Sequence, residues 1–155
     1  MGDPVLLVGE SNPYGADPDF ALYPSPEGSA GWRLCVDILG MQRSRYLATF
    51  ARVNLCAGRW SIREARARAA DLRATAGNIV LLGSKVAAAF GYAFDPFSFR
   101  VEVAAVYPLV VPRQVAILPH PSGRCRLWNE PDAVANARRA VAMVCAEYVA
   151  PGVEA

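Results

Sequence analysis

The chain has 155 residues, of which 54% are hydrophobic and 19% are charged, and its net charge is only +2. This length suits a single domain, residues 1–155, and the composition excludes a disordered chain. No apolar run approaches the roughly 20 residues that a membrane-spanning helix needs, and the N-terminus lacks the basic region of a signal peptide. A soluble, cytoplasmic protein with no membrane partner is therefore expected.

Apolar runs and helical spacing predict alternating strands and helices along the chain. Strands are predicted at 5–8, 52–56, 78–82 and 114–118, helices at 30–39, 44–50, 61–76, 85–90 and 132–148, an aromatic loop at 92–100, and a strand pair or one extended run at 101–111. Ser61 and Glu64 form a capping-box pattern at the start of the third helix. The alternation predicts a three-layer α/β/α fold with a central, mostly parallel sheet of about four strands.

Several enzyme classes lack their motifs in this sequence. There is no glycine-rich dinucleotide motif, no Walker lysine motif and no nucleophile elbow. The four cysteines, at positions 35, 56, 125 and 145, contain no closely spaced pair of the kind that binds zinc or an iron–sulfur cluster. No metal and no cofactor are expected, and the thiols are predicted to be mostly free and buried.

Polar loops follow three of the predicted strands. They are residues 9–15, the neighbourhood of Asn54, and residues 118–129, which hold His120, the only histidine. Ligands of open α/β sheets bind at the carboxyl ends of the strands. A lone histidine or an Asn-Pro pair is often merely structural, but three such loops at one sheet edge favour a binding or catalytic site.

These pieces resemble the motifs of the uracil-DNA glycosylase superfamily, in the same order and over nearly the whole chain. Gly9-Glu10 and Asn12-Pro13-Tyr14 resemble the water-activating loop of the thermostable and of the single-strand-selective and mismatch-specific branches. Val53-Asn54-Leu55 resembles the base-reading strand, residues 79–90 the strand-Gly-helix segment, and His120-Pro121-Ser122 the second motif. The resemblance implies a monofunctional glycosylase that flips uracil or a related damaged pyrimidine out of DNA and hydrolyses its N-glycosidic bond.

The resemblance also implies roles for the catalytic residues. His120 would donate a hydrogen bond to the O2 atom of the departing base and stabilise its negative charge. Asn12 would hold the attacking water, and Glu10 is the alternative residue for this task.

The same resemblance assigns residues to the base and to DNA. Asn54 would read the pyrimidine edge, Phe20 or Tyr23 would stack on the base, with Tyr23 preferred, and Tyr14 would exclude the thymine methyl. Ser122 of the second motif would contact DNA, and Arg124 takes the place of the wedge residue. Arg126, Leu127 and Trp128 would fill the gap or contact phosphates. Trp128 could equally be a core residue. The expected partner is single- or double-stranded DNA, bound by a monomer.

Two other functions stay open at this stage. The same fold could recognise a modified base without cleaving it, or it could hydrolyse free nucleosides or nucleotides, as the small net charge would allow.

Overall fold

The computed structural model describes residues 4–11, 17–75, 77–106 and 109–151, and for residues 104–106 and 109–111 it describes the backbone alone. Across these segments, five strands form one sheet with helices on both faces. The predicted three-layer α/β fold is therefore confirmed, with five strands where about four were expected. None of the helices in these segments is long and apolar enough to cross a membrane.

The elements follow one another in this order: β1 (Val5–Ser11), α1 (Ala30–Trp32) with a π-helical continuation (Arg33–Ile38), α2 (Arg43–Thr49), β2 (Phe50–Cys56), α3 (Ile62–Thr75), β3 (Ile79–Leu82), α4 (Ser84–Ala89), β4 (Ser98–Val106), β5 (Leu109–Leu118) and α5 (Ala133–Val144). Short 3₁₀ helices cover Pro18–Phe20 and Arg126–Asn129.

The strand order is β2-β1-β3-β5-β4, with the first four strands parallel and β4 antiparallel to β5. The chain leaves β1 for β2 on one side and returns to β3 on the other side. Such a reversal of direction opens a crevice at the carboxyl ends of the two central strands. Glu10, near the end of β1, and Gly83, directly after β3, lie at this crevice.

The two faces of the sheet are covered differently. The π-helical turn, α2 and α5 cover one face with large side chains such as Leu34, Tyr46 and Val141. Helices α3 and α4 cover the other face through small residues such as Ala65 and Ala87. All four residues of β3 are buried, as expected for a parallel strand covered on both faces, and burying each such side chain contributes about 1.5–3 kcal/mol.

Two predicted helices differ from the structure in geometry or by more than one residue at an end. Ser29 caps the first one, since its Oγ accepts a hydrogen bond from the Trp32 amide at 3.2 Å. The helix then widens into the π-helical turn, in which the Leu39 amide donates to the Leu34 carbonyl at 2.8 Å. Helix α5 ends at Val144, four residues earlier than predicted.

The capping box at the start of α3 forms in part. Ser61 Oγ accepts a hydrogen bond from the Glu64 amide at 3.3 Å. The Glu64 carboxylate does not return to Ser61 but accepts from the Ala57 amide at 3.2 Å. The predicted helix start is correct, and the carboxylate ties it to the end of β2 instead.

The predicted aromatic loop at 92–100 is wrong from Ser98 onward, because Ser98 begins β4 and pairs with Ile117. The strand pair predicted at 101–111 belongs to the β4–β5 hairpin. Strand β3 pairs with β5 only at Val115–Leu118. The remainder of the hairpin, 101–106 against 109–114, is therefore a two-stranded ribbon that extends beyond the rest of the sheet.

Candidate active site

His120 lies two residues beyond the end of β5, half-buried between two buried prolines, Pro119 and Pro121. Its backbone carbonyl accepts a hydrogen bond from the Trp128 indole Nε1 at 2.7 Å. The Trp128 ring packs edge-on against Phe97, with centroids 5.7 Å apart, at the margin of the core. Of the two interpretations of Trp128, the structure favours the core residue. Its indole hydrogen bond ties the His120 loop to the core.

Gly83 brings the side chains of Glu10 and His120 together. A methyl group placed on Gly83 would lie 3.3 Å from His120 Cβ and 3.4 Å from a carboxylate oxygen of Glu10. Gly83 has a φ of +106° and a ψ of 162°, a conformation that is essentially restricted to glycine. The Gly83 amide also donates to the Leu118 carbonyl at 2.8 Å, which joins the ends of β3 and β5.

The surroundings of His120 favour the neutral form of its imidazole by lowering its pKa. Burial lowers the pKa of His120 below its ordinary value of 6.5, and the nearby Lys85 ammonium lowers it further, while the Glu10 carboxylate acts in the opposite direction. A neutral imidazole has one N–H donor and one acceptor nitrogen. At neutral pH the crevice thus combines a hydrogen-bond donor with a carboxylate.

Asn54 lies on β2 beside Gly9, its register partner on β1. A methyl group on Gly9 would come within 2.4 Å of Asn54 Oδ1, so the bare glycine is what allows the amide to lie against β1. Consecutive residues of a strand face opposite sides of a sheet. The Asn54 amide and the Glu10 carboxylate consequently flank the end of β1 from its two faces.

Asn54 also lines a cleft of about 220 Å³ at the outer edge of β2, between Pro18 and Ala21 on one side and Glu64 and Arg68 on the other. This volume is below the roughly 300 Å³ at which pockets for drug-sized ligands begin, so the cleft suits only a small group. Neither Glu10 nor His120 lines the cleft. This cleft therefore contains Asn54 without the Glu10–His120 pair.

The two aromatic candidates differ in exposure. Phe20 is 55% exposed, whereas Tyr23 is half-buried and packs edge-on against Phe20 with centroids 5.2 Å apart. The Arg52 guanidinium lies over the Tyr23 ring at 5.5 Å and donates to the Ala21 carbonyl at 2.8 Å. Because Tyr23 is held by these contacts, Phe20 is the freer of the two rings for stacking.

The loop after His120 is a tight turn that leaves its arginines in solvent. Ser122 Oγ accepts from the Arg124 amide at 3.1 Å, and Arg124 and Arg126 are both exposed. Leu127 is half-buried in the following 3₁₀ helix. Ser122 thus shapes the turn, and the guanidinium groups are free to meet a polyanion.

Two residues of this region were not predicted from the sequence, Arg33 and Lys85. The Arg33 guanidinium packs on the bare backbone of Gly123, where a methyl group would lie 3.4 Å from its Nη1, and its buried Nε has no hydrogen-bond partner among the described residues. Arg33 lies in a helix that was predicted from its apolar positions alone. No neighbouring residue indicates that Arg33 contacts the His120 loop. Lys85 was assigned only to a short alanine-rich helix.

Asn12 and Tyr14, the other candidates for water and base binding, lie outside the described residues. Within the described ranges, no three His, Cys, Asp or Glu side chains come close enough together to hold a metal ion. The four cysteines are free thiols, three of them buried, as expected.

Comparison of the chain with family models, with curated proteins and with solved structures gave no match. The functional assignment consequently depends on the geometry of the site and on the motif resemblance of the sequence.

Proposed function

We propose that this protein is a monofunctional DNA glycosylase of the uracil-DNA glycosylase type, which hydrolyses the N-glycosidic bond of uracil or a related damaged pyrimidine. The observation that carries the proposal is the convergence of Glu10 and His120 over Gly83. These residues come from three strand ends at the crevice where the strand order reverses, the usual place for a ligand in an open α/β sheet.

In this proposal His120 stabilises the leaving group. As the bond from the sugar C1′ to the base nitrogen breaks, its electron pair goes to the base and negative charge spreads onto O2. A neutral imidazole held in a partly buried site donates an N–H to that oxygen, and a donor placed where charge develops is most effective when it is already positioned. The low pKa of His120 suits a donor that does not transfer its proton.

Glu10 acts on the sugar and on the attacking water. Its carboxylate stabilises the positive charge that develops on the sugar, orients a water molecule toward C1′, and accepts the proton that this water loses as the new C–O bond forms. Asn12 is the second candidate for holding the water.

The remaining residues would bind the substrate. A flipped base that contacts both Asn54 and His120 would lie across the carboxyl end of β1, where Gly9 leaves room for the Asn54 amide. Arg124 and Arg126 in the His120 loop, together with Arg33 packed against it, would contact phosphates of the substrate strand. A local basic surface of this kind is compatible with the net charge of only +2.

The test is release of free base from uracil-containing single- and double-stranded oligonucleotides and from deoxyuridine. We expect His120→Ala and Glu10→Gln each to slow base release from DNA by about 10²–10⁴-fold, while oligonucleotide binding is retained. Glu147→Gln, which changes an exposed carboxylate beyond α5, is the matched control and should leave the rate unchanged.

Other results would assign the protein differently. Tight oligonucleotide binding without base release over long incubation would identify a non-catalytic binding module. Faster turnover of deoxyuridine than of DNA would identify a nucleoside hydrolase. Unchanged turnover after His120→Ala would show that the catalytic assignment is wrong.

A further inference from the structure

Strand β4 forms an edge of the sheet with an exposed apolar face. It pairs with β5 on one side and with no other strand in the described part of the chain. Val101 is 58% exposed and Val103 is 70% exposed on the same face of the strand. An edge strand presents a row of unpaired backbone groups that can pair with another strand. The outer part of the hairpin has only two strands, and a two-stranded ribbon is marginally stable by itself.

On its other face β4 carries Arg100 and Glu102, and Arg73 of α3 and Arg113 of β5 lie beside Glu102. The Glu102 carboxylate lies 3.3 Å from Arg73 Nη2 and 3.6 Å from Arg113 Nη1. Arg100 lies over the Tyr92 ring at 4.8 Å and makes no ion pair with any carboxylate of the described residues. Arg73 and Arg113 thus share the Glu102 carboxylate, and Arg100 could accept a carboxylate from outside.

We propose that two copies of this chain dimerise by antiparallel pairing of their β4 strands about a twofold axis at Val101. In this register Arg100 lies opposite the partner's Glu102, and Glu102 lies opposite the partner's Arg100. Each Arg100 thereby gains a neighbouring carboxylate, which it shares with the partner's Arg73 and the partner's Arg113. Opposite charges directly across a strand pair stabilise it, and like charges destabilise it.

The charge pattern selects this register over its neighbours. With the twofold axis at Arg100, the two Arg100 guanidinium groups would lie opposite each other. With the axis at Glu102, the two Glu102 carboxylates would lie opposite each other. A shift by one residue would place the apolar face of one strand beside the charged face of the other. The axis at Val101 is the centre that pairs Arg with Glu.

The apolar face is also complementary in this register. Val101 meets the partner's Val101, and the highly exposed Val103 meets the partner's Phe99, so the two valines are covered together. Strand β4 lies at the end of the sheet farthest from β2, and pairing there leaves the Glu10–His120 crevice open. This dimer differs from the monomer that the sequence leads one to expect, and it does not depend on the proposed glycosylase activity.

The first measurement is the mass of the full-length protein in solution by analytical ultracentrifugation over a wide concentration range. We expect the mass to rise with concentration from that of one chain toward that of two. Val101→Lys should abolish this rise, because two ammonium groups would meet on the axis, while the circular dichroism spectrum stays native. Val149→Lys changes a valine that is 65% exposed beyond α5 and should dimerise like the unchanged protein.

The second measurement tests the register by disulfide cross-linking in a Cys125→Ser background, which removes the half-buried native thiol. Val101→Cys should form a covalent dimer under mild oxidation, because directly opposed Cβ atoms lie about 4.5–5.5 Å apart. Val103→Cys should not, because each Val103 is then opposite the partner's Phe99. A protein that stays monomeric at every concentration, or one in which Val103→Cys cross-links faster than Val101→Cys, would overturn the proposal.

Discussion

At the scale of single residues, the site depends on two glycines that have no side chain where a neighbour needs the space. Gly9 leaves room for the Asn54 amide, and Gly83 leaves room for both Glu10 and His120. Gly83 also has a positive φ. Its replacement would therefore crowd the neighbouring side chains and also strain the backbone. These two consequences can be separated by comparing Gly83 with another glycine of positive φ.

Gly83→Ala should lower both stability and base release. The backbone strain costs about 1–3 kcal/mol, and the new methyl group displaces His120 and Glu10 from each other. Gly91 has a φ of +84°, and a methyl group added to it would have no neighbouring atom within 4 Å, so Gly91→Ala should lower the melting temperature but leave the rate per folded molecule unchanged. Equal losses of rate in the two variants would contradict a steric role for Gly83.

His120 should make stability depend on pH. Because its pKa is lower in the folded protein than the ordinary 6.5, the unfolded chain takes up a proton first as the pH falls. The stabilising contribution is complete above pH 6.5 and is lost as the pH drops toward the folded pKa. Urea unfolding of the unchanged protein and of His120→Asn should show a smaller loss of stability in the variant over this range; parallel curves would contradict the assignment.

At the scale of the elements, Asn78 joins three of them. Its Nδ2 donates to Gln114 Oε1 at 3.0 Å and to the Val144 carbonyl at 2.9 Å, and its Oδ1 accepts from the Gln114 amide at 3.0 Å. It thereby links the start of β3 to β5 and to the last carbonyl of α5. The hydrogen bond to the Val144 carbonyl lies where α5 ends. This end is four residues before the one that the sequence pattern predicts.

Asn78→Ala should lower the free energy of unfolding by about 1–3 kcal/mol, because it leaves a backbone amide and a carbonyl without their partners. The matched control is Asn136→Ala, which removes an exposed hydrogen bond between Asn136 Oδ1 and Arg139 Nη1 and should change stability by at most about 0.5 kcal/mol. Chemical denaturation measures both, and a similar effect of the two changes would contradict the linking role of Asn78.

The elements that the sequence predicts best are those with a strong local pattern. The apolar runs of β1 and β3 and the capping box of α3 depend on neighbouring residues, so they are recognisable from the chain alone. Strand β4 begins among aromatic residues without a clear alternation, and its pairing with β5 decides its conformation. The π-helical turn has the same apolar spacing as an α-helix, and the spacing alone does not distinguish them.

The same distinction holds for the candidate site. The approach of Glu10 to His120 follows from parallel strands, whose carboxyl ends share one edge of the sheet. The contact of Arg33 with Gly123 joins residues 90 positions apart on different elements, and nothing local predicts it. The separation of Asn54 from the Glu10–His120 pair depends on which face each side chain takes at the strand end.

At the scale of the whole molecule, the centre of the sheet and its β4 edge have different roles in our proposals. The crevice between β1 and β3 carries the residues proposed for chemistry, and the ribbon of β4 and β5 carries the residues proposed for self-association. Strand β3 and residues 115–118 of β5 join these two parts, and all of these residues are buried. A change confined to the outer face of β4 should therefore leave the crevice intact.

The parallel arrangement of β1, β3 and β5 has a consequence for the order in which the site is made. Glu10 leaves the ribosome early, and His120 follows 110 residues later. Pairings between such distant segments form slowly, since a long loop must close before the contact can form. A nascent chain that lacks β5 contains the carboxylate without the imidazole, so the complete pair arises only when the last strand enters the sheet.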